Sequence, residues 1–383
     1  SPGILAQSIG GGCGAVAQSS STDAGDDNDI PDFTKLTVNA ATLTIGASGG
    51  TGGSGGSVSV YANTIHTQGF ASHGVVAQSI GGGGGTGLST GFAMSEIDLS
   101  FGGTGSDSSA NTGGAVKVST GAGVVISTTD SRAMGIIAQS IGGGGGLGDV
   151  SLGTGSAVND DSLADLITVA SIGTDSDPKD TNSLDGGTVG IDHSGTVSTK
   201  GERAVGIVAQ SIGAGGGFLT ASETSIKSVS FVSEQSRGAG YGVTVALQEG
   251  SSIVTTGDGG IGVLAQSIGG GGGVFADLNA PLTTYYVASE SNYTYDKGNG
   301  RHSSVVAVTV ASDASISTSG SYAHGILAQS VAGSGGIFEK NGKTYAGSLH
   351  RNGTNSEAGV SVTVDGSVAT TADTAWAIWG QTQ

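Results

Sequence analysis

The sequence predicts an all-β fold, a parallel β-helix (β-solenoid) of about seven stacked repeats with variable loop or hairpin insertions and glycine-rich corners. Three observations lead there. Glycine supplies 75 of 383 residues, far above a usual share of about 7%. One motif, Gly-[Ile/Val]-apolar-Ala-Gln-Ser-[Ile/Val], recurs along the whole chain. Two short runs of alternating β-branched residues precede each internal copy, and nothing sustains helical spacing.

The motif copies predict strands at 3–9, 74–80, 135–141, 206–212, 262–268 and 325–331, with a degenerate seventh at 377–383. Their glutamines lie 71, 61, 71, 56, 63 and 52 residues apart. The unequal spacing conceals a constant block. Gly56-Ser57-Val58-Ser59-Val60, then Thr64-Ile65-His66-Thr67, lead into the copy at 74–80, and the same order returns upstream of the copies at 135–141 and 206–212. Such a block of about 30 residues holds three strands, one coil of a three-sided helix that is stable only when stacked. Insertions are expected at roughly 13–55, 86–113, 147–186, 218–241, 274–304 and 337–358, giving one continuous solenoid over 1–383. Strand-like runs such as Leu36-Thr37-Val38, Ile97 to Phe101 and Val229 to Val232 leave two forms open for the insertions: a second, irregular coil or projecting hairpins. Asp161 to Ala170 is the one short-helix candidate, and its ending suits a strand equally well.

Period-two alternation puts Ile4, Ala6 and Ser8 on one face of the motif strand and Leu5, Gln7 and Ile9 on the other. The first apolar residue is always Ile or Val, as a tight interior slot requires. The second ranges from Val76 to Trp379, which predicts a roomier site outside the coil, covered by the glycine loop or an insertion. Gln7, Gln78, Gln139, Gln210, Gln266, Gln329 and Gln381 are expected to stack in a structural ladder, as amide columns do in cross-β stacks.

Composition narrows the chemistry. The net charge of −18, from 31 acidic and 13 basic side chains, opposes nucleic acid and anionic lipid as partners. Cys13 is the sole cysteine, so no internal disulfide or thiolate cluster forms. No apolar stretch is long enough to cross a bilayer as a helix, and the start lacks the pattern of a signal peptide. The chain opens and closes inside repeats, which predicts a segment of something longer.

The glycine runs lack the Lys-Ser/Thr and helix of a phosphate loop, so they are read as sites of close backbone approach and positive φ. His73 and His324 stand where other copies carry Met134, Val205, Ile261 and Trp376, a pattern of packing rather than metal ligation. The acidic cluster Asp23, Asp26, Asp27, Asp29 and Asp32 is a weak calcium candidate without the glycine and terminal Glu of a calcium loop. A polysaccharide-acting enzyme would need carboxylates recurring on one groove, whereas Asp and Glu fall mostly in the insertions. An ice-binding column near Thr67, Thr199 and Thr318 lacks a regular Thr-x-Thr array. No catalytic residue, cofactor or metal is expected.

The run Gly135-Ile136-Ile137-Ala138-Gln139-Ser140-Ile141 with its five glycines resembles the hallmark repeat of very large autotransporter-type (type V secretion) surface proteins of Gram-negative bacteria. The likeness covers the whole chain. It implies a passenger region folded as a β-helix, exported through a C-terminal outer-membrane barrel that these residues do not include, and displayed extracellularly at the cell surface. It implies adhesion, with a host surface, glycan or matrix ligand, and supplies no catalytic residues. The alternative expectation is a filament subunit joined end to end through edge strands, with Ile4, Leu5 and Ala6 at one end and Ile378, Trp379 and Gln381 at the other.

Overall fold

Alternation of β-branched and small polar residues drives each coil, because a strand two-sided in this way must bury one face. The computed structural model describes residues 1–11, 14–19, 41–45, 53–90, 97–101, 111–151, 167–172, 184–222, 229–230, 238–277, 302–333, 335–340, 343–348 and 358–383. These form a parallel β-helix: all described strands belong to five sheets whose members pair coil to coil. Three of the sheets make the walls of the coil. In one coil these are Val58–Ala62, Ile65–Thr67 and Val75–Ile80, and the equivalent strands of other coils pair in parallel and in strict register. The wall sheets contain six, six and seven strands.

The interior is narrow and apolar. Val58, Val60, Ala62, Ile65, Val75 and Ala77, with their equivalents in successive coils, make one continuous core. The expected facing of the motif strand is observed, since Ile4 and Ala6 pack against this core while Val76 and its equivalents join a second core outside the wall.

What covers that second core differs from a simple glycine loop. After each copy the chain reverses and lays a fourth strand over the motif sheet, such as Gly84–Thr90, Gly145–Ser151 and Gly216–Ser222. Six such strands, with the later run Lys343–Ser348 as a seventh member, form a glycine sheet, so the regular structure runs several residues beyond the expected insertion starts at 86, 147 and 218. Beyond it, Ala41–Ile45, Ile97–Phe101, Ile167–Ile172 and Val229–Ser230 form a fifth, parallel outer sheet. The described part of these insertions thus stacks like the coil itself. The run at Leu36 to Val38 and residues 161–166 lie outside the described residues, and the segment proposed as a short helix contributes the strand Ile167–Ile172 instead.

Candidate functional site

The motif Ala-Gln-Ser divides its labour among three layers. Ala77, Ala138, Ala209, Ala265 and Ala328 are fully buried in the coil interior. The serines clasp successive coils at the entry to the first wall: Ser79 Oγ donates to Gly56 O at 2.8 Å and accepts from Gly114 N at 2.7 Å. Ser140 repeats this with Gly114 O and Gly187 N, both at 2.7 Å.

The seven glutamines stand in one column between the motif sheet and the glycine sheet. Each Nε2 donates to Oε1 of the next coil, at 2.7 Å from Gln7 to Gln78, 2.6 Å from Gln78 to Gln139 and 2.7 Å from Gln139 to Gln210. The column continues to Gln266, Gln329 and Gln381 at 2.7, 2.8 and 2.9 Å. The second hydrogen reaches the carbonyl seven residues on, in the glycine strand: Gly146 and Gly217 at 3.5 Å and Gly336 at 3.3 Å. The ladder therefore ties coil to coil, and Gln7, Gln139, Gln210 and Gln329 also tie the wall to the covering sheet. Gln78 to Gln329 are wholly buried, so none of these groups meets solvent. Gln210→Leu should cost about 2 to 3 kcal/mol, because Gln139 loses an acceptor and Gln266 a donor inside a dry layer. Urea unfolding would measure it, and leucine at every ladder position should cost less than the summed single changes.

The threonines expected as a column also face inward. Thr199 Oγ1 donates to Ala204 O, and Thr67 and Thr318 do the same to Ser72 O and Ala323 O, each at 2.5 Å. Thr128 and Thr255 make the equivalent bonds to Ala133 O and Gly260 O. These bonds close the corner between the second and third walls. This column is therefore buried and is not itself a surface array.

His73 and His324 sit buried at equivalent corners, and the Nδ1 of each accepts a backbone N–H from the next coil, Met134 at 3.2 Å and Trp376 at 2.9 Å. The accepting nitrogen must be unprotonated. Burial pushes His73 down to about 3 and His324 down to about 4. His193 points into the coil interior, its Nδ1 2.8 Å from Thr120 Oγ1 and its Nε2 buried without a hydrogen-bond partner. Burial lowers it to about 4. A base whose folded pKa is depressed stabilises the fold above its unfolded value and loses that contribution as pH falls toward the folded value. The window here runs from about 6.5 down to about 4. Asp149 opposes this, because burial raises its carboxyl to about 6 and favours the protonated fold below that pH. Net, the unfolded chain takes up about two more protons than the fold, and melting should fall between pH 6.5 and 4.5. His193→Leu should flatten that dependence, as seen in thermal scans across pH, since Leu247 fills the same position one coil on.

Sequence reasoning missed one polar pair. Arg132 Nη1 donates to Asp149 Oδ1 at 2.6 Å, with both side chains buried and the guanidinium 5.1 Å from the Phe70 ring centroid. Arg132 is on a corner and Asp149 on a glycine strand 17 residues later, a separation that signals nothing in a linear reading. Of the two, Asp149 lines a cavity of about 390 Å³, together with Leu5, Ala71, His73, Val76 and Leu147. The space exists because Ala15 and Thr86 occupy the register position filled in later coils by Leu147, Phe218, Val274 and Ile337.

The calcium candidates Asp23, Asp26, Asp27, Asp29 and Asp32 and the lone Cys13 lie outside the described residues. Among the described residues, no group of three or more His, Cys, Asp or Glu is placed to hold a metal. The edge residues Ile4, Leu5 and Ala6 and Ile378, Trp379 and Gln381 lie on the two outermost strands of the motif sheet. No protein-family model matches this chain, and neither a curated protein nor a solved structure matches it significantly.

Proposed function

We propose that this chain is a non-catalytic stalk or adhesin passenger displayed outside a Gram-negative cell, a stiff solenoid that holds its insertions away from the surface. One observation carries the reading: the polar groups of the repeating motif are turned inward and bonded to one another, as a scaffold requires and a substrate site does not. The net charge of −18 fits an exterior, self-repelling object. The resemblance to autotransporter-type repeats supports export, and the insertions are where a glycan, matrix or cell-surface ligand would be met. Deleting the protein from its host should reduce attachment to surfaces or cells at least several-fold. Unchanged attachment would sink the adhesive reading. Negative-stain imaging of the purified chain separates the alternative: uniform short rods support the stalk, whereas lengthening with concentration supports end-to-end filaments.

A further inference from the structure

All coil-to-coil pairings among the described strands are parallel, and one pairing in the glycine sheet is not. Gly335–Lys340 pairs antiparallel with Lys343–Ser348 along its whole length, from Gly335 opposite Ser348 to Lys340 opposite Lys343. On its other edge Gly335–Lys340 pairs in parallel with Gly272–Asp277, like its counterparts. The three walls each continue for one more strand past this coil, as Val360–Val364, Ser367–Thr370 and Ile378–Thr382. Among the described strands, the returning strand is the last member of the glycine sheet on this side.

We propose that Lys343–Ser348 is an edge guard, which keeps a strand from a second copy of this chain off the glycine sheet. A glycine strand is an unusually permissive edge. Gly335 and Gly336 offer bare backbone at φ +153° and +146°, so over this half of the strand no side chain fixes the register of an incoming glycine strand. Each copy carries several strands of that kind, which makes a like chain the fitting partner. The guard uses the hydrogen bonds that such a strand would take. It also puts Lys343, a residue type common on protected edges, on the new outermost strand. Asn341-Gly342 between the two runs is the strongest short-range hairpin signal in a sequence, and it specifies this reversal locally.

The test uses the full chain in three forms: wild type, residues 341–348 replaced by Gly/Ser of equal length, and Thr344→Pro with Ala346→Pro. In wild type, hydrogen exchange at Gly335–Lys340 should be as slow as at Gly272–Asp277. In both variants, sedimentation over a concentration series should show at least a doubling of average mass relative to wild type, with the far-ultraviolet β signal retained. The proposal is overturned if the variants with retained β signal keep the wild-type mass. It is equally overturned if the wild-type amides of Gly335–Lys340 exchange as fast as those of an unpaired edge. The exchange measurement decides the matter should both variants lose their β signal.

Discussion

Gly216→Ala should destabilise the covering layer by about 4 to 5 kcal/mol, although it adds a single methyl group. Gly216 has φ +139°, and a Cβ there would stand 1.8 Å from Gly272 O in the next coil. The same approach recurs up the column, with Gly84 and Gly145 each at 2.0 Å from the carbonyl above. A backbone in this region costs an L-residue about 1 to 3 kcal/mol. The clash adds to that cost, because it is with backbone on a strand held from both sides. Relief requires the two strands to part, at about 1 kcal/mol for each ladder bond lost. The turn before the strand is more forgiving: Ala214 already occupies it at φ +65°, within the left-handed region. Gly190→Ala is the matched control, since a Cβ there meets nothing within 4 Å, and it should be neutral or slightly stabilising. Hydrogen exchange read strand by strand is the suitable measurement, because long stacks do not melt as one unit. Faster exchange confined to Gly145–Ser151, Gly216–Ser222 and Gly272–Asp277, with the interior walls unchanged, is the expected pattern.

Arg132→Met should cost about 3 to 5 kcal/mol, the usual penalty for removing one partner of a buried ion pair. The loss comes from Asp149, which stays buried with its counter-charge gone. Its carboxyl is already raised to about 6 by burial against the pull of Arg132, and without the guanidinium it must rise further. An acid whose folded pKa is raised stabilises the fold below its unfolded value and loses that contribution as pH climbs through the folded one. The variant should therefore be weaker relative to wild type at pH 8 than at pH 5. Arg132→Met combined with Asp149→Leu should recover most of the loss, because the flanking glycine strands carry Leu88 and Thr220 at that register position. Denaturant unfolding of the four forms at both pH values closes the cycle, and additive losses would refute coupling.

The walls of the coil are legible in the sequence because their physics is local. Val58, Ser59 and Val60 alternate, so their facing follows from the pleat, and a Val-to-Trp range at one motif position marks a site outside the tight interior. The glycine sheet is not legible in the same way. Glycines such as Gly145 and Gly146 have no strand propensity of their own, and their place in a strand depends on another glycine strand lying directly above. The insertion starts expected at 86, 147 and 218 accordingly fall too early, directly after the last glycine. Asp149 lies within the insertion expected at 147–186, and nothing nearby in the chain announces Arg132. The returning strand Lys343–Ser348 did carry a signal, in Asn341-Gly342, hidden by treating 337–358 as one undivided insertion.

The glutamine column has a mechanical side. Its bonds and those of the sheets all run along the axis, so tension applied there loads every strand of a coil together. Peeling one coil shortens the stack by about 4.8 Å. It also frees the chain between successive glutamines, 56 residues in one coil and 71 in another, or roughly 200 to 250 Å at full extension. The insertions that vary the spacing thus give each coil its own reserve of length. A tether made this way would yield in unequal steps and absorb work at each, in an order that its sequence spacing identifies.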